Sequence, residues 1–337
     1  MKQWVWAFLA ISAAMLLALS VQSADSEGAS DDYVSQLDAN SSAVYAEISN
    51  LSGSVDATQT ISAEFPNVVL FLSEEEAKGY AASEANDAAA AVYLSDPFCI
   101  WLWDLPVKGI EVESEIASVT LTGDPTTYYA VRSVSFQISV QEKYADSVQK
   151  TLDSVKDALK TYSGSDSSKA KSIAKDLSGI SKKDDEEGEI SDLYDALVKR
   201  SSSSAGIAAA FTYVASNNGL EAVTVKGMFY GDSSDGKVAY WNECVADEKW
   251  YAVDVINGLT MVGSATPASG SAFASVYYED LDLKDPNGLV PPSLEREGYP
   301  YPDDTPFYKK YGPVLTMAVI SAIVVLALFV GVRQGNF

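Results

Sequence analysis

The stretch from Ser201 to Asp254 constrains this chain more than any other. SSSSAGIAAAFTYVASNNG reads as a helix of small residues opened by a serine run, because a serine hydroxyl is a good acceptor for the unpaired amides of a helix's first turn. LEAVTVKG reads as a strand, and KVAYWNECVADEKWYAVDV alternates as a tight hairpin does. If the hairpin turns at Asp247-Glu248, antiparallel pairing sets Asp254 opposite Trp241, with Ala239 two residues along on the same face. A helix followed by consecutive antiparallel strands makes the fold class α+β, a helix packed on an antiparallel sheet.

Ahead of this unit the pattern is more mixed. Residues 24–60 are acidic and serine-rich and read as a lead-in with one helix around Tyr33 to Leu51. EEEAKGYAASEANDAAAAVYL reads as a helix capped by Ser73, with acids in its first turn. Phe98-Cys-Ile-Trp-Leu-Trp103 reads as an aromatic core plug. Two alternating runs, 110–122 and 128–140, read as a β-hairpin, and 142–162 returns to helical spacing. Lys169 to Leu177 and Ile190 to Val198 read as further helices, and Ala272 to Tyr278 as a last strand.

The residues from 204 to 254 resemble the catalytic centre of a transglutaminase-like domain. In that family a helix opens with Cys-x-Gly-Tyr-Ala-x-Ala-Phe, a strand follows, and a hairpin runs from His-Ala-Trp-Asn to Lys-Trp-Tyr-x-Val-Asp. Here the corresponding stretches are Ser204-Ala205-Gly206-Ile207-Ala208-Ala209-Ala210-Phe211, Gly219 to Gly227, and Ala239-Tyr240-Trp241-Asn242 to Lys249-Trp250-Tyr251-Ala252-Val253-Asp254. Ser95-Asp96-Pro97-Phe98 stands where such proteins carry an "Asp-His-Pro, then aromatic" segment, so the likeness covers roughly residues 90–283. It implies a papain-like core that, when intact, performs acyl transfer or peptide hydrolysis through a Cys-His-Asp triad. The triad positions are Ser204, Ala239 and Asp254, with Trp241, Asn242, Trp250 and Tyr251 as candidates to line the groove.

The substitutions remove the chemistry. A cysteine in a helix's first turn becomes a thiolate with help from the helix dipole and a neighbouring imidazolium. A serine hydroxyl is too weak an acid for that, and Ala239 carries no base. The chain holds no histidine at all, so no Ser-His, Cys-His or His-metal set can be assembled. Ser-x-x-Lys spacings, as at Ser147 to Lys150 and Ser168 to Lys171, are what a serine-rich chain yields by chance. The acidic run Asp184 to Glu189 lacks the alternating order of a calcium loop. No intact catalytic set, no cofactor and no metal site is expected.

Charge narrows the partners. With 23 basic against 47 acidic residues and a net charge of −24, a nucleic acid is excluded as partner. Residues 1–23 read as a secretory signal, either cleaved after Ser23 or retained as an anchor. Val314 to Val332 is an uncharged apolar run long enough for one bilayer span. The expected division is signal 1–23, an N-terminal helical and β-hairpin region 24–141, a transglutaminase-like domain 142–283, a proline-rich acidic stalk 284–312, a span 313–332 and a cytoplasmic tail 333–337. That order places the bulk of the chain outside a cell membrane, held by a single C-terminal span. Cys99 and Cys244, the only cysteines, are either bridged or buried as free thiols. Asn40 and Asn50 open glycosylation sequons.

Three functions remain: a non-catalytic surface protein binding a peptide or envelope polymer in the former groove, a structural module of the cell envelope, or a residual acyl-transfer enzyme. An open groove would favour the first and a groove filled by side chains the second.

Overall fold

The computed structural model describes residues 32–51, 54, 56–104, 110–183, 193–230, 236–268, 270–279, 289–301 and 317. Helix α1 (Ala39–Ser49) begins at Asp38, whose carboxylate accepts the amides of Asn40 and Ser41. Strands β1 (Thr58–Glu64) and β2 (Leu70–Phe71) lead to α2 (Glu74–Ser95), which opens on a capping box between Ser73 and Glu76. Pro97–Ile100 adds one further turn, and Trp101 and Trp103 behind it are buried as the aromatic run predicts.

Strands β3 (Glu113–Thr120) and β4 (Thr127–Ser139) form the expected hairpin. Two more strands join it: β1 and β2 pair with the other edge of β4, making a four-stranded sheet. This corrects the lead-in reading of residues up to 60, because Ile61, Ala63 and Phe65 are buried at strand spacing and so fix one face of β1 to the core.

Helices α3 (Val148–Asp157) and α4 (Asp166–Leu177) and the turn Leu193–Leu197 then precede α5 (Ser204–Asn217). α5 packs on a second sheet, built from β5 (Ala222–Phe229), β6 (Lys237–Ala246), β7 (Lys249–Asp254), β8 (Leu259–Val262) and β9 (Tyr277–Glu279). Its five strands lie in the order β8-β7-β6-β5-β9, each pair antiparallel. A short helix, Phe273–Val276, replaces the first half of the last expected strand. The fold is mixed α+β.

The β6–β7 turn falls where the sequence places it. Ala246 pairs with Lys249, and Asp247 and Glu248 between them both have positive φ, 50° and 63°. That is the two-residue turn whose twist matches a β-hairpin.

Two boundaries differ from expectation. The described residues from 32 to 299 form one compact unit, and a single buried cluster contains Val44, Phe136, Val155, Phe211 and Val253. No break in packing therefore falls at residue 142. The first part of the expected stalk is also part of this unit. Leu294 bridges Trp250, Ser264 and Ala265 donate their amides to the carbonyls of Glu295 and Arg296, and the amide of Tyr299 reaches the Met261 carbonyl. Gly263 permits this approach, since a Cβ there would lie 2.3 Å from the Glu297 carbonyl oxygen. Proline-rich composition signals an extended, solvated chain, but here the amides of Glu295 and Tyr299 and the carbonyls of Glu295 and Arg296 bond to Trp250, to Met261 and to the residues after β8.

The expected signal, the acidic run 184–189 and, apart from Met317, the expected span lie outside the described residues. Among the described residues no helix is long and apolar enough to cross a membrane.

Candidate functional site

The second sheet presents two faces, because side chains alternate along each strand. Thr224 on β5 and Asn242 on β6 face α5. The Thr224 and Thr212 hydroxyls are 2.9 Å apart, and the Asn242 amide nitrogen donates to the Ala208 carbonyl at 2.9 Å and to Thr212 Oγ1 at 3.0 Å. Cys244, Tyr251 and Val253 belong to the apolar cluster on this same side. Val225, Ala239, Trp241, Trp250 and Ala252 face the other way, into a second cluster closed by Phe273, Val276 and Tyr277.

Ser204 sits at the first turn of α5. Its hydroxyl oxygen accepts the amide of Tyr240 at 3.3 Å, at a point where the β6–β7 ladder has ended, its last pair being Asn242 with Val253. Because that amide belongs to the peptide unit following Ala239, the nucleophile and base positions of the resemblance are neighbours in space. The same register carries Asp254 opposite Trp241, diagonal to Ala239. Ser204 thus adjoins the strand at Ala239-Tyr240, and Asp254 lies on the strand beside it, one residue past the last ladder pair.

A hydrogen-bonded carboxylate and a set of packed rings fill this corner of the sheet. The Asp254 carboxylate is 2 % exposed. It accepts the amide of Asn257 at 3.0 Å, the Asn257 side-chain nitrogen at 2.7 Å and the Tyr277 hydroxyl at 2.5 Å. Burial, reinforced by the Asp254 charge, pushes the Tyr277 hydroxyl far above its ordinary value, so it stays a proton donor and cannot serve as a base. Its ring stacks on Phe273 at 4.2 Å between centroids, meets Trp241 edge-on at 5.2 Å and lies tilted against Phe229 at 4.9 Å. Asp254 therefore orients a tyrosine.

Tyr277 escaped the sequence reading because it lies 23 residues beyond Asp254 and carries no motif. Asn257 had a local signal: a residue three after an aspartate can close an Asx-type turn onto it.

The groove candidates are corrected. Trp241, Asn242, Trp250 and Tyr251 are each between 1 and 3 % exposed and act as core. An aromatic beside a catalytic corner looks the same in sequence whether it lines a groove or fills one, and packing decides.

Cys99 and Cys244 are both buried and are not joined in a disulfide. Cys99 lies 3.0 Å from a carboxylate oxygen of Asp96, and Cys244 lies 3.4 Å from the sulfur of Met261. Burial, with a smaller contribution from the charge of Glu243, raises the Cys244 thiol far out of the reactive range, which leaves the packing reading and removes the bridge. Of the sequons, Asn40 is fully buried, its side chain held between the backbone of Asn67 and the Tyr80 hydroxyl. It is closed to a glycan, whereas Asn50 at the end of α1 is exposed. No group of metal-ligating side chains occurs among the described residues.

No family model and no curated protein matches the chain. Among the solved structures similar to it are two of related kind. One is a Cytophaga hutchinsonii protein assigned to the cysteine proteases, 7% identical over 51% of this chain and 68% of that one, with a TM-score of 0.23. The other is a transglutaminase, 14% identical over 65% of this chain and 58% of its own length, with a TM-score of 0.26. Scores of this size do not by themselves define a shared fold.

Proposed function

We propose that this chain is a non-catalytic, transglutaminase-like module serving as a structural element of a cell envelope, held outside the membrane by its C-terminal apolar segment. The observation that carries the reading is the closed corner around Asp254, where Tyr277 takes the place a catalytic base would need and Trp241, Phe273 and Phe229 pack around it. Ser204 supports it too, as a hydroxyl used to satisfy a strand amide. A peptide or polymer lying in the former groove is the less supported alternative, because the residues that would line it are buried. The membrane-anchored, extracellular placement rests on the two apolar segments of the sequence alone.

Turnover is the direct test. The protein should release no ammonia from glutamine side chains, with or without an added amine, and cleave no peptide. Activity that disappears in Ser204→Ala would overturn the reading. The geometry also makes a restoration experiment informative, since the triad positions adjoin. Ser204→Cys alone should react slowly with iodoacetamide at neutral pH. Adding Ala239→His should accelerate alkylation by lowering the thiol's pKa, and an equal rate in both variants would show that Ser204 and Ala239 are not the nucleophile and base positions.

A further inference from the structure

At the opposite end of the chain, α1 meets α2 through a buried polar cluster that the proposed function does not use. Glu84, in the middle of α2, is 7 % exposed and receives a short hydrogen bond from the Ser41 hydroxyl of α1. Asp38, the residue that caps α1, is close enough to act on the same carboxyl, and Tyr80 reaches it from one turn earlier on α2. Tyr80 in turn receives a hydrogen bond from Asn40 at 2.8 Å, and Asn40 clamps Asn67 through both its backbone donor and its acceptor, at 2.9 and 3.1 Å. The Tyr80 ring packs on Phe65 and Phe71 at 6.1 and 5.1 Å. The segment so held, just after Asn67, is apolar and open to solvent, with Val68 58 % and Leu72 68 % exposed.

We infer that the Asp38–Ser41–Glu84–Tyr80 cluster is a proton-operated latch, which holds α1 and the Asn67–Leu72 segment on α2 while it carries a proton and loosens both when the proton leaves. The physical reason is charge in a confined site. The groups acting on Glu84 are Ser41 and Asp38 from α1 and Tyr80 from α2, with no lysine or arginine among them. The loop before β2 adds only the neutral Asn67 and the Phe71 ring to the cluster. Glu84 is buried with no cation in reach, and the carboxylate of Asp38, itself exposed to solvent, lies beside it, so the charged form of Glu84 is disfavoured. Burial foremost, with Asp38 adding to it against the opposing Ser41 bond, raises Glu84 from 4.5 to about 7. A folded-state value raised above the unfolded one means that the stabilisation is complete below about pH 4.5 and is lost as pH climbs through about 7. The hydroxyl of Tyr80 is raised as well, burial again the main cause, and it remains protonated throughout.

Hydrogen exchange on the full-length protein at about pH 6 and pH 8, corrected for the intrinsic rise of amide exchange with pH, tests the latch. Protection in residues 40–49 and 67–72 should fall about tenfold relative to the β6–β7 hairpin, the scale set by one pH unit past a titration midpoint. In Glu84→Gln, which keeps the shape and removes the charge, that relative fall should vanish. No fall in the natural protein, an equal fall in the hairpin, or the same fall in the variant would each overturn the proposal. Should Glu84→Gln not fold, carbon NMR of the glutamate carboxyls in the natural protein replaces it. One resonance titrating near pH 7 and shifted by Ser41→Ala is expected, and the absence of any glutamate midpoint above about pH 5.5 would overturn it.

Discussion

The two faces of the five-stranded sheet are stabilised by different means. Toward α5, Asn242, Thr212 and Thr224 form a fully buried hydrogen-bonded set that ties the helix to the sheet at defined atoms. Away from α5, rings fill the volume, and one hydrogen-bonded group, Asp254 with Asn257 and Tyr277, is set among them. Hydrogen bonds between particular groups fix orientation, whereas apolar packing fixes volume and tolerates exchange of shape. The comparison explains how the corner beside Asp254 is closed: the face toward α5 is fixed at defined atoms, and the face that carries Ala239 and Asp254 is filled by rings.

Removing the largest ring tests the packed face. Trp241 is 1 % exposed, and Trp241→Ala should cost about 3–5 kcal/mol in urea unfolding, the range for emptying a buried aromatic site. A loss near that of a surface substitution would mean that the rings around it collapse into the space and that this face is soft. Asn242→Ala tests the hydrogen-bonded face. It removes the donor to Ala208 and Thr212 and should cost about 2–3 kcal/mol. A larger loss than that of Trp241→Ala would reverse the contrast and make the polar set the main stabiliser of the unit.

Tyr277→Phe sharpens the comparison because it keeps the ring and deletes only the hydroxyl. Asp254 would then retain the Asn257 donors alone, and a bond to a buried carboxylate is worth about 1.5–3 kcal/mol. The same change should leave Asp254 available to a histidine introduced at Ala239, so alkylation of the Ser204→Cys/Ala239→His protein should quicken further when Tyr277→Phe is added. If stability is unchanged by Tyr277→Phe, the tyrosine serves as a ring only and the corner is filled without being locked.

The contrast also accounts for what was readable beforehand. The hairpin register, the capping box at Ser73 and the helix at Ser204 are local features, each decided by residues a few positions apart; the alternation of Ile61, Ala63 and Phe65 in β1 is as local, but the lead-in reading passes over it. The closing of the corner depends on Tyr277 and Phe273 arriving from beyond β8, and the docking of residues 289–299 depends on backbone bonds that proline-rich composition does not encode. Trp241 illustrates the limit: its strand, its face and its partner Asp254 follow from the pattern, but whether that face is open follows only from which distant rings return to it.

The smallest effect concerns the turn that sets both faces at once. Asp247 and Glu248 adopt positive φ, a region that costs a residue with a Cβ about 1–2 kcal/mol and that glycine enters without penalty. Asp247 is not the position to change, because its carboxylate accepts the Tyr299 hydroxyl at 2.7 Å and helps to seat the C-terminal segment. Glu248→Gly changes the other position, giving Asp-Gly, a preferred pair for this turn. The gain from relieving the backbone is partly offset by the wider freedom of glycine in the unfolded chain, so a net stabilisation of about 0.5–1 kcal/mol is expected. Since the turn fixes which residues of β6 and β7 point toward α5, the gain should appear equally in the background of Trp241→Ala and of Asn242→Ala. A gain confined to one background would show that the two faces answer to different registers, and the common hairpin on which the comparison rests would have to be given up.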